Sequence, residues 1–165
     1  MSKMKRNITI NPNHMFSGAL AFLSNMYPCT ITIDVLGQPF TFTSAEAAFQ
    51  AGKCLDLTDV RLFTNVANGA AAKKLGRRIR LRKDWDTYRL AWMEQVLICK
   101  FNQNPILLQK LLDTYPTPLA ETNTWGDTFW GVCNGQGENH LGQILMKIRE
   151  ENRSLTQSGN TLDIL

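Results

Sequence analysis

Residues 85–101 carry a repeat of large apolar side chains that favours one long helix. Four of these side chains recur at spacings of three or four residues, and two more stand beside them: Trp85, Tyr88, Trp92 and Val96, with Met93 and Leu97. Such spacing collects apolar side chains on one face of an α-helix. We therefore predict a helix from about Asp84 to Phe101, the longest in the chain, whose apolar face must be covered by other elements.

A β-hairpin is predicted in the first third of the chain, at residues 29–43. Two runs rich in β-branched and aromatic residues flank a turn at Gly37,. A helix should follow at residues 44–55. Thr43 would be its N-cap, and Glu46, three residues later, would complete a capping box.

Four further helices and two short strands complete the predicted secondary structure. The helices are expected at residues 58–69, 70–76, 104–115 and 140–152, and the strands at 119–122 and 128–133. Asn68-Gly69 is expected to end the first of these helices. The predicted fold class is α+β, a compact and mainly helical single domain with a small β-hairpin. We place this domain at residues 14–151, between a polar segment at 1–13 and a flexible tail at 152–165.

The composition is typical of an ordinary globular protein. With 18 basic and 14 acidic side chains, the net charge of +4 permits a phosphate-bearing ligand or nucleic acid without requiring either,. No stretch approaches the roughly 20 apolar residues that span a bilayer, and residues 1–14 are too polar for a signal peptide. The dispersed cysteines and the two histidines lack the spacing of metal ligands,. We expect reduced thiols, a cytoplasmic location, and neither metal nor cofactor.

Glu46, Gln50 and Lys53 place a carboxylate, an amide and an amine on one stripe of the helix predicted at residues 44–55,. A lysine held in a cleft can lose its proton and form a Schiff base with the carbonyl of an opened sugar. The alternative is that Glu46 only caps the helix while Lys53 faces water. The spacing by itself leaves both interpretations open.

Residues 73–85 form a basic run that ends in a tryptophan. Guanidinium groups match the geometry of phosphate oxygens, and Arg82 is well placed to bind one. Trp85, at the start of a helix, could stack on a base. The alternatives are a solvated basic face and a tryptophan that belongs to the core.

Two loops carry further candidate residues. Residues 125–142 are rich in Gly and Asn, hold Asp127, and end at a predicted helix start, where backbone amides favour an anion,. Residues 22–28 offer Ser24 and Asn25 to read the edge of a ligand. Each of these three side chains could equally form a turn. Taken together, the candidates favour a nucleotide-like glycoside as ligand, and neither histidine has an evident Ser or Cys partner for nucleophilic catalysis.

In chain order, these segments resemble the motifs of the NADAR (YbiA-like) family. The matching stretches are FLSNMYP, TSAEAAFQAGK, AAKKLGR, LRKDWD, KFNQNPILLQKLLDT, LAE and DTFWGVCNGQGENHLGQILMKIRE, which span residues 22–150. The resemblance implies the mainly helical α+β fold and an N-glycosidase activity. Members cleave phosphoribosylamino-pyrimidine intermediates of riboflavin synthesis, or ADP-ribosylated guanine in nucleic acid.

The resemblance also implies roles for individual residues. Those implied for catalysis are Glu46, Lys53 and Asp127, and those implied for substrate binding are Asn25, Trp85, Trp130 and Asn139, with Arg82 added from the basic run. The chain departs from some members at Ala47 and Ala48, which follow the glutamate, and at Val132, which follows the WG pair. These departures bear on the choice of substrate.

We therefore expect a metal-independent hydrolase whose partner is a nucleotide-like small molecule or ADP-ribosylated nucleic acid. Two other functions stay open: a module that binds ADP-ribose or nucleic acid without cleaving it, and a sequence-tolerant nucleic-acid binder that uses residues 73–83. A direct route through an oxocarbenium ion needs only carboxylates, so the Schiff base is one of two mechanisms. The sequence does not specify the glycoside or the oligomeric state.

Overall fold

Helices predominate in the computed structural model, which describes residues 16–159. The strands and α-helices are β1 (Pro28–Val35), β2 (Gln38–Ser44), α1 (Ala45–Ala51), α2 (Leu57–Leu62), α3 (Gly69–Gly76), α4 (Trp85–Gln103), α5 (Pro105–Asp113), β3 (Thr122–Asn123), β4 (Val132–Cys133) and α6 (His140–Gly159). Two short 3₁₀ helices occupy Gly18–Leu23 and Phe63–Asn65. The predicted α+β class, mainly helical with a small hairpin, is confirmed.

The hairpin lies where it was predicted. β1 and β2 are antiparallel, with Ile31 opposite Phe42, and both of these side chains are fully buried. Leu36 and Gly37 make the turn with φ angles of 52° and 80°. Positive φ at both positions matches the twist of a two-residue hairpin. The apolar face of the hairpin packs against helices α1 and α4.

Helix α1 begins one residue later than predicted. Ser44, rather than Thr43, is its N-cap, and the Ser44 hydroxyl accepts a 3.1 Å hydrogen bond from the Ala47 amide. The alternation along β2 leaves Thr43 exposed and turns Ser44 inward, so only the serine can reach the helix,. All seven residues of α1 are buried, and the helix ends at Ala51 rather than near residue 55.

Asn68 begins a helix instead of ending one. Its side-chain oxygen accepts a 2.9 Å hydrogen bond from the Ala71 amide, which makes it the N-cap of α3. The preceding helical segment is shorter than predicted, since α2 ends at Leu62 and the 3₁₀ helix ends at Asn65. An Asn-Gly pair is compatible with either helix end, and the sequence pattern selected the wrong one.

The long helix predicted from the apolar repeat is α4, and it forms the centre of the core. It packs against β1, α1, α5 and α6. Trp92 is buried, and its indole Nε1 donates to the carbonyls of Ala48 and Phe49 at 3.2 Å each. A side chain at Gly52 would overlap this indole, so glycine allows α4 to approach the end of α1.

The last helix is longer than predicted. α6 has 20 residues, one more than α4, and it continues through residues 152–159, which were assigned to the tail. The polar segment predicted at 1–13 and the end of the tail, residues 160–165, lie outside the described residues. The short strands of the C-terminal half are β3 and β4, which pair in parallel and connect the loop of residues 124–131 to the body of the domain.

Candidate active site

A cavity of about 390 Å³ opens between α1, α3, α4 and the loop that joins β3 to β4. Of the predicted site residues, six line it and two do not. The six are Asn25, Glu46, Lys53, Trp85, Asp127 and Trp130, and the two outside it are Arg82 and Asn139. Side chains that are distant in the sequence thus converge on one space. A volume of this size suits a small ligand.

Glu46 is a buried carboxylate in the cavity wall, only 7% exposed. Its Oε1 accepts a 2.8 Å hydrogen bond from Gln50 Nε2. Burial raises the pKa of Glu46 above its ordinary value, while the Gln50 hydrogen bond and the charges of Lys73 and Lys53 oppose that rise. The side chain is therefore held in one orientation, and a buried carboxylate with a raised pKa in a cavity is a candidate for proton transfer.

Lys53 faces the same cavity from the turn that follows α1, not from the helix itself. Its Nζ lies 5.6 Å from the centroid of the Trp85 ring. Partial burial lowers the pKa of Lys53, Glu46 opposes this, and Arg77 and Lys73 lower the pKa further. An amine whose pKa is lowered has a larger neutral fraction, and the neutral form is the nucleophile.

Arg82 does not line the cavity, and its interactions place it behind Lys53. Its guanidinium pairs with both carboxylate oxygens of Asp84, at 2.6 and 3.0 Å, and stacks on the Tyr88 ring. Its amide donates a 3.0 Å hydrogen bond to the carbonyl of Lys53, and Nη1 reaches the carbonyl of Gly52 at 3.4 Å. These contacts hold the turn that carries Lys53.

The two predicted tryptophans belong to an aromatic cluster centred on Phe49. The Phe49 ring lies 5.1 Å from Trp85 and 5.5 Å from Trp130, centroid to centroid. Trp85 is only 7% exposed, so it is both a core residue and part of the cavity wall. Trp125 belongs to the loop noted in the sequence but was given no site role there, yet it lines the cavity while 55% exposed. Its ring is the more accessible one for stacking.

Asp127 lines the cavity and also organises its loop. Its Oδ1 accepts hydrogen bonds from the amides of Phe129 and Trp130, at 3.1 and 2.9 Å. Asn123 holds the Asp127 backbone from the other side through two further bonds. The structure therefore shows the turn-forming role that the sequence left open. A catalytic role for Asp127 stays a prediction.

Asn139 binds the backbone of Glu121, a residue whose place in the site was not predicted from the sequence. The Asn139 side chain accepts from the Glu121 amide at 3.1 Å and donates to the Leu119 carbonyl at 3.0 Å. Glu121 lines the cavity. Burial raises the pKa of Glu121 to about 7, and the charges of Asp127 and Glu46 add to the effect. The only sequence signal for Glu121 was the short LAE motif.

Asn25 meets the cavity from the segment before β1. Its backbone carbonyl accepts a 2.9 Å bond from the Glu46 amide, and its Nδ2 lies 3.4 Å from Met93 Sδ. The buried Lys100 ammonium donates to the carbonyls of Phe22 and Ser24, at 2.7 and 3.1 Å. This lysine, which the sequence pattern did not indicate, fixes the segment that presents Asn25.

Among the described residues, several buried polar atoms near the cavity have no hydrogen-bond partner, which favours the cavity as a binding site. Within residues 16–159, the buried side-chain atoms with no hydrogen-bond partner are Asn25 Oδ1, Gln50 Oε1, Arg89 Nε and Thr122 Oγ1. The first three belong to residues that line the cavity. Buried polar atoms are rarely left unpaired, so the clustering of three such residues around one cavity makes it the candidate binding site.

A metal-binding cluster and a membrane-spanning helix are both absent from the described part of the chain. Residues 16–159 contain no group of three or more His, Cys, Asp or Glu side chains that could hold a metal ion. In the same range, no helix combines the length and the apolar character needed to cross a bilayer.

Comparison with known proteins identifies the family of this chain. The family model of the NADAR domain matches residues 15–153. The chain belongs to the NADAR family. The N-glycosidase YbiA of Escherichia coli is 37% identical over 114 residues, which cover 67% of this chain and 71% of YbiA. An N-glycosidase of Acanthamoeba polyphaga mimivirus is 30% identical over 148 residues, which cover 79% of this chain and 86% of the viral protein.

One solved structure and one further relative bear on the fold and on the length of the chain. The NMR structure of E. coli YbiA superposes with a TM-score of 0.74 at 31% identity, covering 87% of this chain and 84% of YbiA. The family and the fold predicted from the sequence are thus confirmed. A riboflavin biosynthesis protein of Vibrio vulnificus is 40% identical over 136 residues, but this chain spans only 35% of that protein's length.

The departures from the family pattern lie away from the cavity wall. Ala47 and Ala48 are fully buried in the core. Val132 belongs to β4 and is half-buried. None of the three is among the residues that line the cavity.

Proposed function

We propose that this NADAR-family protein is an N-glycosidase that hydrolyses the bond between a ribosyl carbon and a base nitrogen. The substrate we propose is a phosphoribosylamino-pyrimidine or an ADP-ribosylated guanine in nucleic acid. The relatives named as N-glycosidases support the reaction class. The observation that carries the proposal is one cavity in which the buried Glu46 carboxylate and the Lys53 amine face the same space.

The first step in this proposal is departure of the base. The C1′–N bond breaks, its electron pair leaves with the base nitrogen, and that nitrogen takes a proton. Glu121 is the proposed proton donor because its pKa of about 7 keeps much of it protonated near neutrality,. The C1′ carbon is left electron-deficient, and the buried Glu46 carboxylate stabilises it.

The second step uses Lys53 as a nucleophile. Its neutral amine adds to C1′ and passes a proton through Glu46 to the ring oxygen, which opens the ribose as a Schiff base. Water then adds to C1′, and collapse of the adduct returns the lysine and frees the sugar. The net reaction consumes one water. In the direct alternative, water adds to C1′ without the lysine.

The first experiment is a side-by-side turnover assay. Purified protein is incubated with a phosphoribosylamino-pyrimidine and, separately, with an ADP-ribosylated oligonucleotide, and the released base is quantified by chromatography. We expect release from at least one substrate and its loss in Glu46→Gln. Tight binding without release, unchanged in Glu46→Gln, would instead favour a binding module.

Trapping with borohydride distinguishes the two mechanisms. Reduction of the Schiff base should leave a ribosyl adduct on Lys53, located by peptide mass spectrometry. Lys74→Ala is the matched control, because Lys74 is exposed on α3 and does not line the cavity. Normal turnover in Lys53→Ala would exclude the Schiff base and leave the direct route.

A further inference from the structure

Arg89 differs from the other partly buried arginines in what it binds. The Arg82 guanidinium pairs with Asp84, and Arg149 donates to the Thr114 hydroxyl and to the carbonyl of Thr117. Arg89 enters none of the ion pairs found among residues 16–159. Its Nε is buried without a hydrogen-bond partner. An arginine that serves only the fold ordinarily has its donors satisfied.

Packing, rather than charge pairing, holds the Arg89 side chain in place. Its Cζ lies 3.7 Å from the centroid of the Phe129 ring. The Phe129 amide is itself fixed by Asp127 Oδ1. On α4, Arg89 follows Trp85 by one turn and precedes Met93 by one turn, and all three line the cavity. The guanidinium is thus presented on a rigid wall, which lowers the entropic cost of binding an anion.

Within residues 16–159, Arg89 forms no ion pair with the carboxylates that line the cavity. The basic groups that act on Glu46 are Lys73 and Lys53, and those that act on Glu121 are Lys73 and Lys100. Arg89 is absent from both sets. The cavity therefore contains carboxylates that lie near lysines, and an arginine that forms no ion pair with any carboxylate of the described residues.

We infer that Arg89 binds the phosphate of the substrate and makes the enzyme select phosphorylated ribosides over plain ribonucleosides. This inference rests on the proposed N-glycosidase function for its substrate class. A guanidinium offers planar paired donors that match phosphate oxygens. The sequence predicted Arg82 as the phosphate ligand. Because the Arg82 guanidinium is paired with Asp84, we assign that role to Arg89 instead.

The test compares each substrate with and without its phosphate. Wild type, Arg89→Gln and Arg89→Lys are assayed on a phosphoribosylamino-pyrimidine and on its dephosphorylated riboside. We expect Arg89→Gln to raise KM for the phosphorylated substrate roughly 10- to 100-fold, as loss of a charge-assisted hydrogen bond predicts, and to reduce the preference for the phosphorylated substrate over the riboside by a similar factor. Arg89→Lys should fall between, since it keeps the charge and loses the fork.

A surface variant and a thermal melt complete the design. Arg78→Gln removes an exposed charge outside the cavity and should behave as wild type. If Arg89→Gln melts well below wild type, Arg89→Lys alone is used for the comparison. Equal losses on both substrates, or no loss on either, would overturn the inference.

Binding of ribose 5-phosphate separates this inference from the proposed function. By calorimetry, wild type should bind ribose 5-phosphate more tightly than ribose, and Arg89→Gln should lose that difference. A wild type that cleaves no glycoside but shows this pattern would refute the N-glycosidase proposal alone. A wild type that cleaves glycosides and binds the two sugars equally would refute the role of Arg89 alone.

Discussion

Gln50 Nε2 donates a 2.8 Å hydrogen bond to Glu46 Oε1, one helical turn earlier on the buried helix α1. The helix is short, but every one of its residues is buried, so the bond is shielded from bulk solvent except where the two side chains line the cavity. Gly76 of α3 lies directly against the Gln50 amide, where any side chain would overlap Gln50 Oε1. The orientation of the carboxylate thus depends on a residue of another helix.

Replacement of Glu46 by Gln should lower turnover without lowering the stability of the fold. Turnover should fall by roughly 10²- to 10⁴-fold, because a positioned carboxylate is lost. Since burial raises the pKa of Glu46, the charged form destabilises the fold at neutral pH and the penalty disappears as pH falls,. Glu46→Gln should therefore melt at or above the wild-type temperature at pH 7 in a thermal melt. A much lower melting temperature would contradict this account.

The contact between Gly76 and Gln50 can be measured by a double-mutant cycle. Gly76→Ala should lower the free energy of unfolding by about 1–3 kcal/mol through overpacking and reduce kcat by displacing Gln50. In a Gln50→Ala background the same change should cost much less, because the shorter side chain leaves room for the methyl group. Denaturant unfolding of the four proteins gives the coupling energy. Additive effects would show that the two residues act independently.

The pH dependence of turnover tests Glu121 as proton donor. Its pKa is raised to about 7, so it is protonated below that pH and loses its proton above it. The rate of base release should fall as pH rises through about 7, and Glu121→Gln should be slow at every pH. The same raised pKa means that ionised Glu121 destabilises the fold, and this cost grows from about pH 4.5 to about pH 7. A pH profile identical in Glu121→Gln and wild type would exclude this role.

The sequence predicted the parts of the fold that follow from local periodicity. The apolar repeat of α4 and the two β-rich runs of the hairpin both predicted the right element, because each signal reflects the geometry of its own element. The cap of α1 and the role of Asn68 were wrong. Ser44 and Thr43 are both good caps in isolation, and the inward or outward phase of β2 decides between them.

The candidate site was predictable only where its residues stand in clear motifs. Glu46, Lys53 and Asp127 do meet in one cavity. Arg82 and Asn139 do not line the cavity. The Arg82 side chain donates to the carbonyl of Gly52, in the turn that carries Lys53, and the Asn139 side chain accepts from the Glu121 amide. Arg89 and Glu121 were not predicted. Arg89 stands out because its buried Nε has no hydrogen-bond partner within residues 16–159, and Glu121 because burial raises its pKa. Those properties depend on which distant segments pack together.

Arg82→Gln should affect turnover through Lys53 rather than through phosphate. The variant loses the Asp84 pair and the Gly52 contact, which together hold the turn of Lys53. We expect kcat to fall by roughly tenfold with KM nearly unchanged, since misplacement of a nucleophile lowers the rate of reaction more than binding. Borohydride trapping on Lys53 should weaken in parallel. A rise in KM confined to phosphorylated substrates would instead return Arg82 to the role of phosphate ligand.

Trp125→Ala should weaken substrate binding without loss of stability. The ring is 55% exposed at the cavity, so its removal gives up little buried area. Stacking of a base on an aromatic ring contributes about 1–3 kcal/mol, which corresponds to a rise in KM of roughly 5- to 150-fold. Trp125→Phe keeps a stacking surface and should recover much of the affinity. If Trp125→Ala leaves KM unchanged and its melting temperature equals that of wild type, the base must stack elsewhere, and the cavity-lining Trp130 becomes the next ring to replace.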